Sequence, residues 1–361
     1  MSLLLARTHF SLLTAPASPQ ELCEEAVRLS LTHLVLTDTN GLYGLYPFAQ
    51  AARRVGLQAV FGCELVHRGR RLTLIAQDES GYGSLCRLLS AFHGVGPGLS
   101  DSRRSGGLAG DPCVTSDRRS EFDLVRACER YAKGLWFLCG DPRLLPELSV
   151  RVPRERLLVA LPQRSPSGEP ACDSASALLG ADASVASAGP RDQRGRKLPD
   201  PGCRWPRQLL RDIARDLELS LCAVRDVWFA APQDHALHQM FLAVKWNRSL
   251  RGGDPAKDLR GIGVARSDAH LPSPEQLHAG HEEDAAAVAM AQQVLDSCSL
   301  SFVDRAKPIF PPVSLPSGET AEASLRQLVV AGLQQRYGKP GKAAVARCEH
   351  ELSVIDSMGF A

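Results

Sequence analysis

The chain has no Cys-x-x-Cys pair and no long apolar run, and only seven of its 42 basic residues are lysines. Each scarcity excludes something. Eleven cysteines at scattered spacings rule out a zinc ribbon or a thioredoxin-like redox pair, and an odd count without framework spacing fits reduced thiols. No stretch approaches the roughly 20 apolar residues of a membrane span. Leu3, Leu4 and Leu5 are too short a run for a signal-peptide core, and Arg7 follows at once. The expected location is the cytoplasm, with no membrane partner. A net charge of +2 sets up no global field towards nucleic acid. The arginine excess reads as codon bias rather than phosphate binding. No G-x-x-x-x-G-K-[ST] phosphate loop is present.

What is there is an ordinary apolar fraction of 44% in 361 residues, enough for two domains with real cores. Up to about residue 232, short apolar runs alternate with amphipathic helices. LLLARTHF, HLVLTDT, AVFGCELV, RLTLIAQ, GLWFLCG, RLLVAL and LSLCAVRDVWF read as strands. The helix SPQELCEEAVRLS is capped by Ser18, and YPFAQAARRVG stops at Gly56. Such alternation predicts βαβ units and a mostly parallel sheet closed as a TIM-like (β/α) barrel of about seven units. Residues 94–120 and 163–204, rich in Gly, Ser, Pro and Asp, read as loops. From 233 to 361 the pattern is all-helical, with a Ser273–Gln276 capping box and Thr320 as a further cap.

Functional side chains of (β/α) barrels sit at the C-terminal strand ends. Those positions offer Asp38, Thr39 and Asn40, then Glu64, His93 at a helix end, Cys139 and Asp141, and Asp226. Carboxylates and imidazole gathered there are what a hydrolytic metal site requires, because the cation lowers the pKa of a bound water. His278 and His281, beside Glu282 and Glu283, read as a solvated helix face, and His9 as a surface histidine.

The phrases TDTNGLYG at 37–44, FSLLTAPASPQEL, FGCEL, GYGSLCRLLSAFH and RDVWF resemble, in order and spacing, the PHP (polymerase and histidinol phosphatase) domain. That domain opens bacterial DNA polymerase III alpha subunits, and the likeness is to the error-prone type. KPIFPPVSLPSGET, GLQQRY and ELSVIDSMGF resemble the segment that leads into the polymerase palm. The resemblance implies a PHP-like barrel over 1–232 and an incomplete helical start of the polymerase region over 233–361, ending before the palm. No D-x-D pair of the kind that clamps two catalytic metals occurs.

It also implies a ligand nest: H-x-H, an acid or His, D-H, G-x-E, a helical His, a Cys or His, and D-x-H. Carried onto this chain, the H-x-H positions fall on Leu5 and Arg7, the next on Thr14, the His of D-H on Thr39 and the late His on Trp228. Glu64, His93, Asp226 and Asp38 remain as a remnant metal site; Cys139 lies near the sixth position. Arg7 is expected to replace the metal by pairing with Glu64, Asp226 or Asp38, with Thr39 and Trp228 beside it. No cofactor is expected; the alternative is one divalent ion of zinc, manganese or magnesium on the remnant site. The function implied is a non-catalytic scaffold in DNA replication or repair, a stand-alone piece or the product of an interrupted gene. Its partners would be other replication or repair proteins or a separate palm chain, with weak DNA binding. The alternative is a metal-dependent phosphoesterase or 3′–5′ exonuclease at the reduced site.

Overall fold

In the computed structural model the described residues are 2–94, 122–164, 205–250, 259, 265, 267–302, 315 and 318–360. The two expected loops and the proline-rich strap lie largely outside them. By Cα proximity the chain divides into two compact units, Met1–Val303 and Asp304–Ala361. The first unit therefore extends well past residue 232, where the sequence pattern turns helical.

The first unit is built on a closed seven-stranded barrel in chain order: β1 (Leu3–Ala6), β2 (His33–Leu36), β3 (Gln58–His67), β4 (Arg70–Ala76), β5 (Leu135–Cys139), β6 (Leu157–Pro162) and β7 (Ser220–Val227). β1, β2 and β5 are buried at every residue. That is why they read as continuous apolar runs without the alternation of a half-solvated strand. Five of the seven pairings are parallel. β4 is the exception and runs antiparallel to both neighbours. The reason is local. Arg68 and Gly69, at φ 49° and 72°, make a two-residue turn in the left-handed region, which folds β4 back on β3 as a hairpin. A hairpin needs no crossover helix, so β4 follows β3 directly in the chain.

The helices of this unit are α1 (Pro19–Arg28), α2 (Leu45–Val55), α3 (Glu79–Phe92), α4 (Leu124–Arg130), α5 (Leu145–Ser149), α6 (Arg207–Asp216), α7 (Asp234–Lys245), α8 (Pro274–Ala279) and α9 (Ala285–Ser297). Ser18 caps α1 with a full capping box to Glu21, and Pro19 sits in the first turn. Gly56 ends α2 at φ 72°, the conformation glycine adopts without penalty. The Ser273–Gln276 box closes reciprocally, at 2.9 and 3.3 Å. The helical pattern that opens at Ser273 forms two helices, Pro274–Ala279 and Ala285–Ser297, with a break between them at Gly280–Asp284. α9 then packs on β7 and β1, covering the seam where the barrel closes. The second unit contains two 17-residue helices, α10 (Ala321–Tyr337), capped by Thr320, and α11 (Lys342–Met358).

Candidate functional site

The C-terminal ends of β1, β3 and β7 bring three expected residues together. In the β1–β7 register Leu5 lies opposite Asp226, and the Arg7 amide continues the ladder by donating to the Val227 carbonyl at 3.1 Å. Residues 5 and 7 share one face of the extended chain, so Arg7 follows Leu5 into the mouth. Its side chain is buried. Nε donates to Glu64 Oε2 at 3.1 Å and Nη2 to Oε1 at 2.7 Å, a two-pronged arginine–carboxylate pair. Nη1 and Nη2 both donate to Asp226 Oδ1 at 3.2 Å. The guanidinium lies over the Trp228 ring, with Cζ 4.2 Å from the centroid.

Thr39 is on the same carboxylate. The β2–β3 ladder continues past Leu36 through a bridge between Thr39 and Glu64, and Thr39 Oγ1 donates to Glu64 Oε2 at 3.3 Å. Arg71 is the participant that strand-end reasoning missed. Its Nε donates to Glu64 Oε1 at 3.0 Å, and its Nη2 contacts the same oxygen. A signal for it existed. The hairpin register sets Thr73 opposite Glu64, so Arg71, two residues away on the same strand face, is the diagonal neighbour.

The electrostatics of the cluster close on themselves. Burial opposes the Arg7 charge, but attraction to Glu64 and Asp226 outweighs it, and the guanidinium is held charged more firmly than usual. Burial likewise pushes the Glu64 carboxyl up, while Arg7 and Arg71 pull it down further, leaving it below the ordinary range. Among the described residues, two guanidinium cations face two carboxylates here.

The other remnant-site residues do not join. Asp38 is buried but engaged elsewhere. Its Oδ1 accepts from the Thr8 amide at 2.8 Å and from Ser11 Oγ at 2.8 Å, and its Oδ2 from Thr8 Oγ1 at 2.8 Å. Burial raises its carboxyl despite these bonds. Gly44 is required beside it, because a Cβ there would sit 2.4 Å from Asp38 Oδ2. The ring Nε2 of His93 is 2.8 Å from the Asn40 carbonyl oxygen. Cys139 Sγ donates to the Asp141 carbonyl, and Asp141 pairs with Arg143 at 2.7 Å. Thr14 is engaged elsewhere: its carbonyl oxygen is 2.5 Å from His238 Nδ1. His281, expected on a solvated face, is buried beside Asp284, while Glu282 and Glu283 are exposed. The His278 side chain lies outside the described residues.

Barrels of this kind imply a divalent metal, and the residues here do not fit one. Among the described residues no three of His, Cys, Asp and Glu converge as ligands. Glu64 and Asp226 share a guanidinium, that of Arg7. A fixed positive charge at that position repels a cation.

Residues 4–142 match the family model described as PHP domain. The chain is 30% identical over 377 residues to an error-prone DNA polymerase of Mycobacterium bovis, covering 98% of this chain and 30% of that protein. It is 26% identical over 415 residues to an error-prone DNA polymerase of Nocardia farcinica, covering 98% of this chain and 32% of that one. It thus spans about 30% of the length of these relatives. A looser likeness, with 16% identity and a TM-score of 0.29 over 44% of this chain and 76% of the other, is to an amidohydrolase from Chromobacterium violaceum. The Met1–Val303 unit is accordingly a PHP-type, TIM-like barrel, in a chain similar over nearly its whole length to part of the error-prone DNA polymerases.

Proposed function

We propose that this barrel is a non-hydrolytic structural module of a DNA polymerase III alpha-like protein acting in DNA replication or repair. The observation that carries the reading is the Arg7 guanidinium held between Glu64 and Asp226, at 2.7 and 3.2 Å, where a hydrolytic barrel would hold its cation. A catalytic zinc needs about three protein ligands and an open position for water. Here the two carboxylates are consumed by arginines, and the imidazole of His93 is committed to a backbone carbonyl. With its charges paired and its mouth filled, the barrel serves as a rigid frame. Its partners, by the same reading, are other components of a replication or repair assembly.

The test is hydrolysis by the purified chain. A 3′-mismatched DNA primer and a chromogenic phosphodiester are incubated with manganese, magnesium or zinc, and metal content is measured on protein prepared without chelators. Rates at the uncatalysed background and well under one equivalent of metal are expected. Metal-dependent turnover that disappears in Glu64→Gln would replace this reading with the phosphoesterase one.

A further inference from the structure

Two histidines one turn apart on α7 grip the backbone of a single residue, Ala265. His238 is fully buried. Its Nε2 accepts from the Ala265 amide at 2.9 Å, and its Nδ1 lies 2.5 Å from the Thr14 carbonyl oxygen. A carbonyl only accepts, so Nδ1 carries the ring proton and Nε2 is bare. His235 Nε2 is 3.0 Å from the Ala265 carbonyl oxygen, which places a proton on that nitrogen in turn. Ala265 and Ala269 form a small apolar cluster with Trp228 and Phe229. Backbone contacts tie the same segment to the end of β7: the Trp228 amide donates to the Ala269 carbonyl at 2.8 Å, and Phe229 bridges His270. The Trp228 and Phe229 rings lie 5.8 and 5.9 Å from the His238 ring. His238 thus joins the β1–α1 loop, α7 and the segment around Ala265.

We propose that His238 is an acid-sensitive latch: protonation at Nε2 unhooks Ala265 from α7 while the barrel beneath stays closed. The geometry leaves an imidazolium no place. A proton on Nε2 would face the Ala265 N–H, donor against donor, and Nδ1 already holds the other proton. Among the described residues no carboxylate bonds to the ring. The charged or titratable groups acting on it are His235 and Lys245 of its own helix, and both disfavour a positive charge there. The β1–α1 loop presents the Thr14 carbonyl, and the end of β7 presents the Trp228 and Phe229 rings. Burial, reinforced by these two neighbours, holds His238 at about 4 against an ordinary value near 6.5. Once released, the ring regains the ordinary value, so the open state gains on the closed one as pH falls from about 6.5 towards 4. Opening withdraws Ala265 from the cluster that covers Trp228, whose ring also lies against Arg7. The latch works whether or not the barrel hydrolyses anything.

The test is amide hydrogen exchange on the full chain at pH 7 and pH 5, read by NMR and corrected for intrinsic rates. A ring that moves from about 4 when closed to about 6.5 when open shifts the opening equilibrium by roughly 20-fold between those two pH values. Protection at the Ala265 amide should fall by that factor, while the amides of β5 stay better protected throughout and lose less. His238→Gln takes up no proton in this range. It should lower Ala265 protection at pH 7 and leave it within about twofold of that level at pH 5. Should this variant not fold, the wild-type ring supplies the second measurement. Its nitrogen shifts should report a bare Nε2 at pH 7, and Nε2 should gain its proton in step with the loss of Ala265 protection. Ala265 protection unchanged at pH 5, a loss matched at β5, a protonated Nε2 at pH 7, or a His238→Gln chain that keeps the full response would each overturn the latch.

Discussion

The barrel mouth and the α10–α11 helices handle their awkward groups in opposite ways. In the mouth, Arg7, Glu64, Arg71, Thr39 and Asp226 are difficult to bury, and each finds its partner within the same unit. In the helical pair the awkward groups are apolar and remain uncovered. α10 has no buried residue and α11 only Leu352, while Leu328, Tyr337 and Met358 are 72%, 58% and 56% exposed. Between them the two helices share an ion pair, Arg326 with Glu349 at 2.7 Å, of a solvated kind that contributes little. A region whose charges are satisfied internally is finished as a structure. In α10 and α11 large apolar side chains face water instead.

The sharpest way to break this contrast is to unbalance the mouth. Glu64→Gln removes the carboxylate shared by two arginines, and a loss of about 3–5 kcal/mol is expected in urea denaturation. A loss under about 1 kcal/mol would mean that the arginines find water and the mouth is not closed.

Acid should act on the same unit. His33, His238 and His281 are buried, and burial holds each at about 4, with the nearby positive charge of Arg207 also acting on His281. In the unfolded chain they titrate near about 6.5, so between these values the unfolded state binds more protons. Their contribution is fully present above about pH 6.5 and is lost as pH falls towards about 4. At pH 5 each should cost about 2 kcal/mol relative to neutral pH. His238 has a specific reason to stay neutral. Its Nε2 accepts from the Ala265 amide at 2.9 Å while Nδ1 faces the Thr14 carbonyl. Protonation would turn that acceptor into a donor facing an N–H. Urea midpoints at pH 7 and pH 5 for wild type and His238→Asn check this; an unchanged pH slope in the variant would exclude His238 from the effect.

Smaller effects are expected from the helical pair. Deleting residues 343–361 should change the barrel's denaturation free energy by no more than about 0.5 kcal/mol and raise solubility. Unfolding of the barrel on truncation would show that α11 is integral to it. A modest effect is expected at the edge of the mouth, where Thr39→Val removes one 3.3 Å bond to Glu64 and should cost about 1 kcal/mol. DNA affinity should remain weaker than about 1 μM near 0.15 M salt, since a net charge of +2 sets up no strong field; a filter-binding titration decides that.

The barrel was legible in the chain because each strand had to be buried on both faces, and burial of that kind leaves a run such as LWFLC that nothing polar interrupts. Helix ends were legible for a similar reason. Ser18, Gly56 and Ser273 act within a few residues of themselves, so local sequence contains the whole interaction. Arg7 was legible as an oddity, a permanent cation two residues after Leu5 at an inward-facing strand end. Its partners were narrowed to Glu64, Asp226 or Asp38, and only tertiary structure chose among them. Asp38 is turned towards Thr8 and Ser11, which lie a few residues beyond β1. Arg71 was hidden because its role depends on β4 running backwards, a consequence of the turn at Arg68–Gly69 that also sets the register. His281 was misjudged for the complementary reason. A helical repeat placed it with Glu282 and Glu283, but the break at Gly280–Asp284 turns it inward beside Asp284. Periodicity and caps are properties of neighbours along the chain. Charge pairing across a barrel mouth joins residues 57 and 219 positions apart, and only closure of the sheet brings them within 3.2 Å.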